Sequence, residues 1–179
     1  MVSPEHFDVI YQINSHMDLS NKVDRSLACH QWEALKCAYE SLGFDVDIVQ
    51  GVQHLPDMVF AANQFVTYPA GIIYSKMRHP ERVAEVEEFK KSFGSISCYQ
   101  SKNYLEGMGD LLWDYEGERL FAGHGFRSEM ASYQEVEKLL SRYQIITLKL
   151  VNDSFYHLDT CLSIMNKELA LYVRSAFNE

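Results

Sequence analysis

A chain of 179 residues that is 47% hydrophobic, with nine glycines and four prolines, fits one globular α/β-sized domain with a sizeable core and lacks the composition of a disordered chain. Its formal net charge of -9 argues against a nucleic-acid surface, which needs clustered lysine and arginine to neutralise phosphates, and gives only weak support to a cationic ligand. The start of the chain lacks the basic and apolar regions of a signal peptide and no later stretch reaches the length of a membrane span, so a cytoplasmic protein with no membrane partner is expected.

In chain order, residues 7–13 read as a strand. Residues 24–42 read as a helix, with apolar residues at helical spacing (Leu27, Ala28, Leu35, Ala38, Leu42) and a stop at Gly43. Residues 45–49 alternate like a strand. Two segments of one grammar follow. Residues 58–62 and 71–75 read as strands, 80–93 as a charged amphipathic helix opened by Pro80, and 95–100 as a strand. Residues 109–113 and 119–122 are again strands, 132–142 a helix with Ser132 as N-cap and Glu135 at capping-box spacing, and 144–150 a strand. Each unit is ββαβ, and each places an arginine (Arg78, Arg127) between its second strand and its helix. Such a repeat implies a modular, cyclic or stacked architecture in a single domain over residues 1–179. A third unit begins at residues 155–160, turns near Asn166 and Lys167 and continues through a strand at 169–173. Its helix and closing strand are absent, which reads as a truncated repeat with an open edge. The alternative is a short natural form that closes by self-association, so a homo-oligomer is one expectation.

In a cyclic repeat, equivalent strand ends surround one axis. Those positions hold Asp57 and Asn63, then Glu106 and Asp110, then His157 and Asp159. Carboxylates and an imidazole meeting in one pocket can hold a planar cation by paired hydrogen bonds and exchange protons with it. His157 and Asp159, with Leu158 between them, share a face if the segment is a strand. Arg127 follows a glycine-flanked turn from which a guanidinium can reach a carboxylate in bidentate fashion. Each has a plainer reading: Glu106-Gly-Met-Gly-Asp110 as turn chemistry, His157 as a core histidine, Asp159 as a cap, Arg127 as a surface arginine. The aromatic pair Phe155-Tyr156 reads as core. Cys29, Cys37, Cys98 and Cys161 form no CxxC pair or Cys/His cluster, so neither disulfide, metal nor other cofactor is expected.

Taken together, Leu55-Pro-Asp-Met-Val-Phe-Ala-Ala-Asn63, Arg78-His-Pro-Glu-Arg82, Glu106-Gly-Met-Gly-Asp110, Gly125-Phe-Arg-Ser128 and Phe155-Tyr-His-Leu-Asp-Thr-Cys161 resemble the arginine dihydrolase and dimethylarginine dimethylaminohydrolase relatives of the amidinotransferase superfamily. The resemblance runs through nearly the whole chain. It implies an α/β-propeller (pentein) of ββαβ modules and a hydrolase that acts on a guanidino amino acid, arginine or a derivative, through a cysteine nucleophile. By position, it makes His157 the general acid/base and Glu106 its acidic partner. Asp159 becomes a guanidinium-binding carboxylate, Arg127 the anchor for the substrate α-carboxylate, and Asp57 and Asn63 pocket residues. Asn63 stands where several relatives carry a second aspartate and is similar to the branch that hydrolyses arginine or succinylarginine through to an ornithine product. Ile13-Asn-Ser-His-Met17 departs from the Asn-Pro-Trp-Met of the relatives. The family nucleophile lies near the C-terminus in the last blade, and no cysteine here matches it. The expectation is therefore a catalytically silent portion of such a hydrolase, with a binding remnant or pseudoenzyme as the alternative.

Overall fold

A computed structural model describes residues 1–94, 96–114, 116 and 118–178. The Asp24 carboxylate accepts the Leu27 N–H at 3.0 Å and so opens helix α1, Arg25–Ser41. Gly43, at φ 87°, takes the left-handed turn beyond its end. No residue of α1 is fully buried, and Leu27, Leu35, Tyr39 and Leu42 are exposed.

Two copies of one unit follow. Strand β1 (Phe65–Tyr68) turns sharply into antiparallel β2 (Gly71–Tyr74). Helix α2 (Val83–Phe93) then crosses over, and β3 (Cys98–Gln100) returns parallel to β2. After a single helical turn, α3 (Gly107–Asp110), the pattern recurs with antiparallel β4 (Leu111–Trp113) and β5 (Arg119–His124), helix α4 (Met130–Leu139), and β6 (Gln144–Lys149) parallel to β5. A parallel return needs a crossover, and the amphipathic helix supplies it while covering one sheet face. The third unit contributes the antiparallel hairpin β7 (Leu162–Ile164) and β8 (Ala170–Tyr172).

The repeat expected from the sequence is present, but several elements differ. Residues 7–13 form no strand, and of 45–49 only Val49 pairs, in a single bridge to Val2. Residues 58–62 lie in two 3₁₀ turns, Pro56–Val59 and Ala61–Gln64, and the strand begins at Phe65. Pro56 has a fixed φ and no N–H to give to a ladder, and the Phe60 and Asn63 amides bond back to Asp57 and Phe60. Residues 155–160 likewise bend, through the turns Asp153–Phe155 and Leu158–Thr160. Helix α4 starts two residues earlier than expected. Its N-cap is Glu129, and Glu135 bonds outward to Tyr99 and Lys102 in place of a capping box. Ser95, at the start of the strand expected at 95–100, lies outside the described residues.

The apolar faces pack into three clusters, centred on Ile73, Leu111 and Leu120, on Met58, Val86 and Phe89, and on Leu150, Leu158 and Ala176. Each wholly buried leucine or phenylalanine contributes ~1.5–3 kcal/mol. With the sheets anchored, the bent segments Pro56–Val59, Ala61–Gln64, Gly107–Asp110 and Leu158–Thr160 meet at one place, where α3 packs on the second and the fourth. Among the described residues no helix is long and apolar enough to cross a membrane, and no cluster of His, Cys, Asp or Glu is arranged to hold a metal ion.

Candidate active site

Glu106 sits fully buried just before α3. One carboxylate oxygen lies 3.2 Å from His157 Nε2 and accepts from Arg127 Nη1 at 3.0 Å, while the other accepts the Arg78 N–H at 3.1 Å. Burial opposes its ionisation, but the hydrogen bond and charge of His157, with Arg127 and Arg82 behind them, hold it at about 2.

His157 is 3% exposed and lies between two carboxylates. Its Nδ1 is 3.1 Å from Asp110 Oδ1 but out of line for a straight hydrogen bond, so Asp110 acts mainly through its charge. Burial disfavours the imidazolium, yet Asp110 and Glu106 raise it to about 9. The folded chain thus holds this proton more tightly than an unfolded chain of pKa ~6.5. The stabilisation is complete below that value and is lost as pH rises through about 9. Asp110 is itself fixed by the Ser128 N–H at 3.1 Å, the Ser128 hydroxyl at 2.6 Å and the Leu158 N–H at 3.1 Å, which ties the second and third units together.

The glycines of Glu106-Gly-Met-Gly-Asp110 allow this approach. Gly107 takes φ 53°, and a side chain there meets the Ala62 carbonyl at 2.5 Å. A methyl group on Gly109 collides with the Asn63 amide and presses on His157 Nδ1 at 3.2 Å. Gly109→Ala is therefore expected to cost ~1–3 kcal/mol by overpacking. It should also shift the His157 titration followed by NMR; an unchanged titration would refute this close packing.

Opposite, Arg82 is 3% exposed at the start of α2. Its Nη1 donates to Asn63 Oδ1 at 3.1 Å, its Nη2 and Nε donate to Glu85 at 2.9 and 3.1 Å, and it lies 3.8 Å from the Asp57 carboxylate. The Asn63 amide nitrogen faces His157 Nε2 at 3.3 Å. Asp57 is 2% exposed, and its Oδ1 makes no well-aligned hydrogen bond, with the Tyr11 hydroxyl the nearby donor. Burial raises its pKa against the pull of Arg82.

These groups line a cavity of about 350 Å³, within the range of ~300–1,000 Å³ usual for small-molecule sites. Asp57, Asn63, Arg127, His157 and Asp159 face it, and Glu106 lies behind His157 and Arg127. Asp159 is exposed at the mouth of the cavity; desolvation by the surrounding walls raises it to about 6, with Asp110 adding to the rise and His157 opposing it. Arg127 is engaged on three sides: Glu106, the Ile13 carbonyl at 3.0 Å, and the Tyr156 ring at 4.7 Å.

All seven residues singled out in the sequence are thus brought together, although His157 and Asp159 converge through a 3₁₀ turn and share no strand face. Arg82 has no role in the sequence reading beyond its place in a motif, and the placing of Tyr156 in the core is corrected, since it lines the cavity. The N-terminal segment expected as a strand is instead a wall of the cavity, with Phe7, Val9, Ile13 and Asn14 in its lining. The only sequence signal for Arg82 was a second arginine one turn beyond Arg78. The side chain of Arg78 turns away, its Nε bonding the Arg127 carbonyl at 2.9 Å. None of the four cysteines lines the cavity: Cys29, Cys37 and Cys98 are exposed elsewhere. Cys161 is buried against the His157 and Leu158 carbonyls, its thiol pushed up to about 11 by burial.

Repeated ββαβ units around a pocket of carboxylates, arginines and a buried histidine define the α/β-propeller (pentein) class of guanidino-modifying proteins. The family model described as N,N dimethylarginine dimethylhydrolase, eukaryotic, matches residues 3–179, and the chain belongs to this dimethylarginine dimethylaminohydrolase family. It is 35% identical to the N(G),N(G)-dimethylarginine dimethylaminohydrolase of Mycobacterium tuberculosis over 99% of its own length and 59% of that protein. It is 36% identical to the bifunctional arginine dihydrolase/ornithine cyclodeaminase ArgZ of Synechocystis, over 99% of this chain and 26% of that one. The chain thus spans less than two thirds of these relatives. Among solved structures it is similar to the N-terminal domain of ArgZ, a cyanobacterial arginine dihydrolase, as a cysteine-to-serine mutant bound to substrate, with a TM-score of 0.92 and 34% identity over 99% of this chain and 67% of that one. A dimethylarginine dimethylaminohydrolase adduct with S-methyl-L-thiocitrulline, 17% identical with a TM-score of 0.78, shares the fold.

Proposed function

We propose that the chain binds arginine or a close guanidino derivative in the central cavity and supplies the binding and acid/base residues of a covalent hydrolase. The observation that carries this reading is His157, held as a cation between Glu106 and Asp110 at the wall of a cavity that also presents Asp57, Asp159 and Arg127. The carboxylates of Asp159 and Asp57 suit a guanidinium, and Arg127 suits an α-carboxylate. In the reaction a thiolate adds to the guanidinium carbon. The C–N bond to the departing amine breaks as His157 gives that amine a proton, and water then cleaves the C–S bond. Glu106, ionised throughout the neutral range, stabilises the imidazolium before transfer. Asn63, a carboxamide, orients a guanidinium or a water without neutralising it.

None of the four cysteines lines the cavity, so the hydrolase reading assigns the thiolate to another segment. The same observation favours a second reading, a binding protein without turnover. For the purified chain, the expected result is arginine binding by calorimetry with no ornithine or ammonia released; release of either overturns the assignment of the thiolate to another segment. Reading the coding DNA beyond residue 179 separates the two functions. A continuing frame with a cysteine-bearing unit supports the hydrolase, and a stop codon supports the binding protein. In either case we place the protein in the cytoplasm, with a small-molecule partner.

A further inference from the structure

We propose that Glu85, outside the cavity, is a positioning residue that aims the Arg82 guanidinium and, through it, the Asn63 amide at His157; its bearing on ligand binding rests on the function proposed above. Glu85 is wholly buried on the first turn of α2, one turn beyond Arg82, and does not line the cavity. One of its oxygens accepts three hydrogen bonds, from Arg82 Nε at 3.1 Å, Arg82 Nη2 at 2.9 Å and Gln64 Nε2 at 2.6 Å. Gln64 is also wholly buried and is the neighbour of Asn63 in the same 3₁₀ turn, so the acceptor is fixed from two directions.

With Nε and Nη2 held, the planar guanidinium has one orientation. Arg82 Nη2 also meets the Asp57 carbonyl at 3.2 Å, and Nη1 points at Asn63 Oδ1. That contact decides which way the Asn63 amide faces. Its oxygen is taken by Arg82, so its NH₂ group faces His157 Nε2, to which it can donate only once the imidazole has given up its proton. Without the Glu85 clamp, the guanidinium is free to rotate toward the Asp57 carboxylate, 3.8 Å away, and the amide is free to flip. Gln64, Glu85, Arg82, Asn63 and His157 thus form one chain of contacts from the interior of α2 to the acid/base residue.

The test is Glu85→Gln in a chain labelled with ¹⁵N. The Arg82 Nε–H signal, protected from solvent exchange in the parent, is expected to exchange roughly tenfold faster or more once its charged acceptor is gone. The Asn63 side-chain amide pair and the His157 Nε2 signal should shift, while Arg119 Nε, paired to Asp114 away from the cavity, should not. Arginine affinity should fall about tenfold, the loss of roughly one charge-assisted hydrogen bond. Lower thermal stability with unmoved Arg82, Asn63 and His157 signals overturns the proposal and leaves Glu85 a purely structural residue. If the parent chain binds no arginine, the functional reading fails while the NMR signals still decide the role of Glu85. Should the glutamine variant not fold, Glu85→Asp keeps the charge but withdraws the acceptor by one methylene, and the same signals must move.

Discussion

Glu106→Ala is expected to destabilise the folded chain by ~3–5 kcal/mol, the cost of leaving a buried charge without its partner. Both Arg127 and His157 lose their shared acceptor, since each contacts the same Glu106 oxygen at 3.0 and 3.2 Å. The midpoint of thermal unfolding should fall by roughly 6–20 °C for a chain of this size. The imidazole responds as well, for Glu106 is one of the two carboxylates that raise His157 to about 9. In the alanine variant the titration therefore moves down toward the ordinary histidine value, and the stabilisation tied to that proton ends at a lower pH. Removing the exposed Lys91, paired with Glu88 at 2.7 Å, should change stability by no more than about 1 kcal/mol. Calorimetric unfolding of the two variants side by side checks the argument, and equal losses would remove Glu106 from the centre of the site.

Asp159→Asn is expected to weaken arginine binding by roughly 10- to 100-fold, the loss of one hydrogen bond between charged partners, ~1.5–3 kcal/mol. The substitution preserves shape and removes only the charge, so folding should be close to that of the parent. Asp159 is exposed at the mouth of the cavity, yet the surrounding walls desolvate its carboxyl enough to raise it to about 6. Below that pH the carboxyl is neutral and attracts a guanidinium weakly; above it the carboxylate is present. Arginine affinity of the parent should accordingly rise with pH through about 6 and level off near neutrality. In the asparagine variant that rise should be absent. Titrations at several pH values decide the matter, and a variant that keeps the pH dependence assigns it to another group, with Asp57 the first to examine, as burial raises it too.

Most of the site was legible in the sequence because it obeys the repeat. Asp57 and Asn63, Glu106 and Asp110, and His157 and Asp159 recur at the entrances of successive units, and equivalent positions of a ββαβ unit point to one axis. Arg82 did not obey it. The matched arginines were Arg78 and Arg127, and only packing shows that Arg78 bonds the Arg127 carbonyl while Arg82 turns to Asn63. Tyr156 was hidden for a similar reason, since an aromatic residue beside Phe155 has the same sequence pattern whether it faces the core or an arginine.

Residue spacing by itself indicated the helices α1, α2 and α4 and the strand-strand-helix-strand grammar of each unit, because hydrophobic period is local, and it named seven candidate residues; it misplaced the first strand of the first unit and the cap of α4. Only the tertiary structure decided that the segments at 58–62 and 155–160 bend. Each gives up ladder hydrogen bonds to bring polar side chains inward, and the contacts that offset that loss are distant in the chain: Asp110 with the Leu158 N–H, Arg82 with the Asp57 carbonyl. It also decided the charge states. A histidine at about 9 and a glutamate at about 2 follow from burial and mutual proximity, and neither quantity exists until residues about fifty positions apart have met.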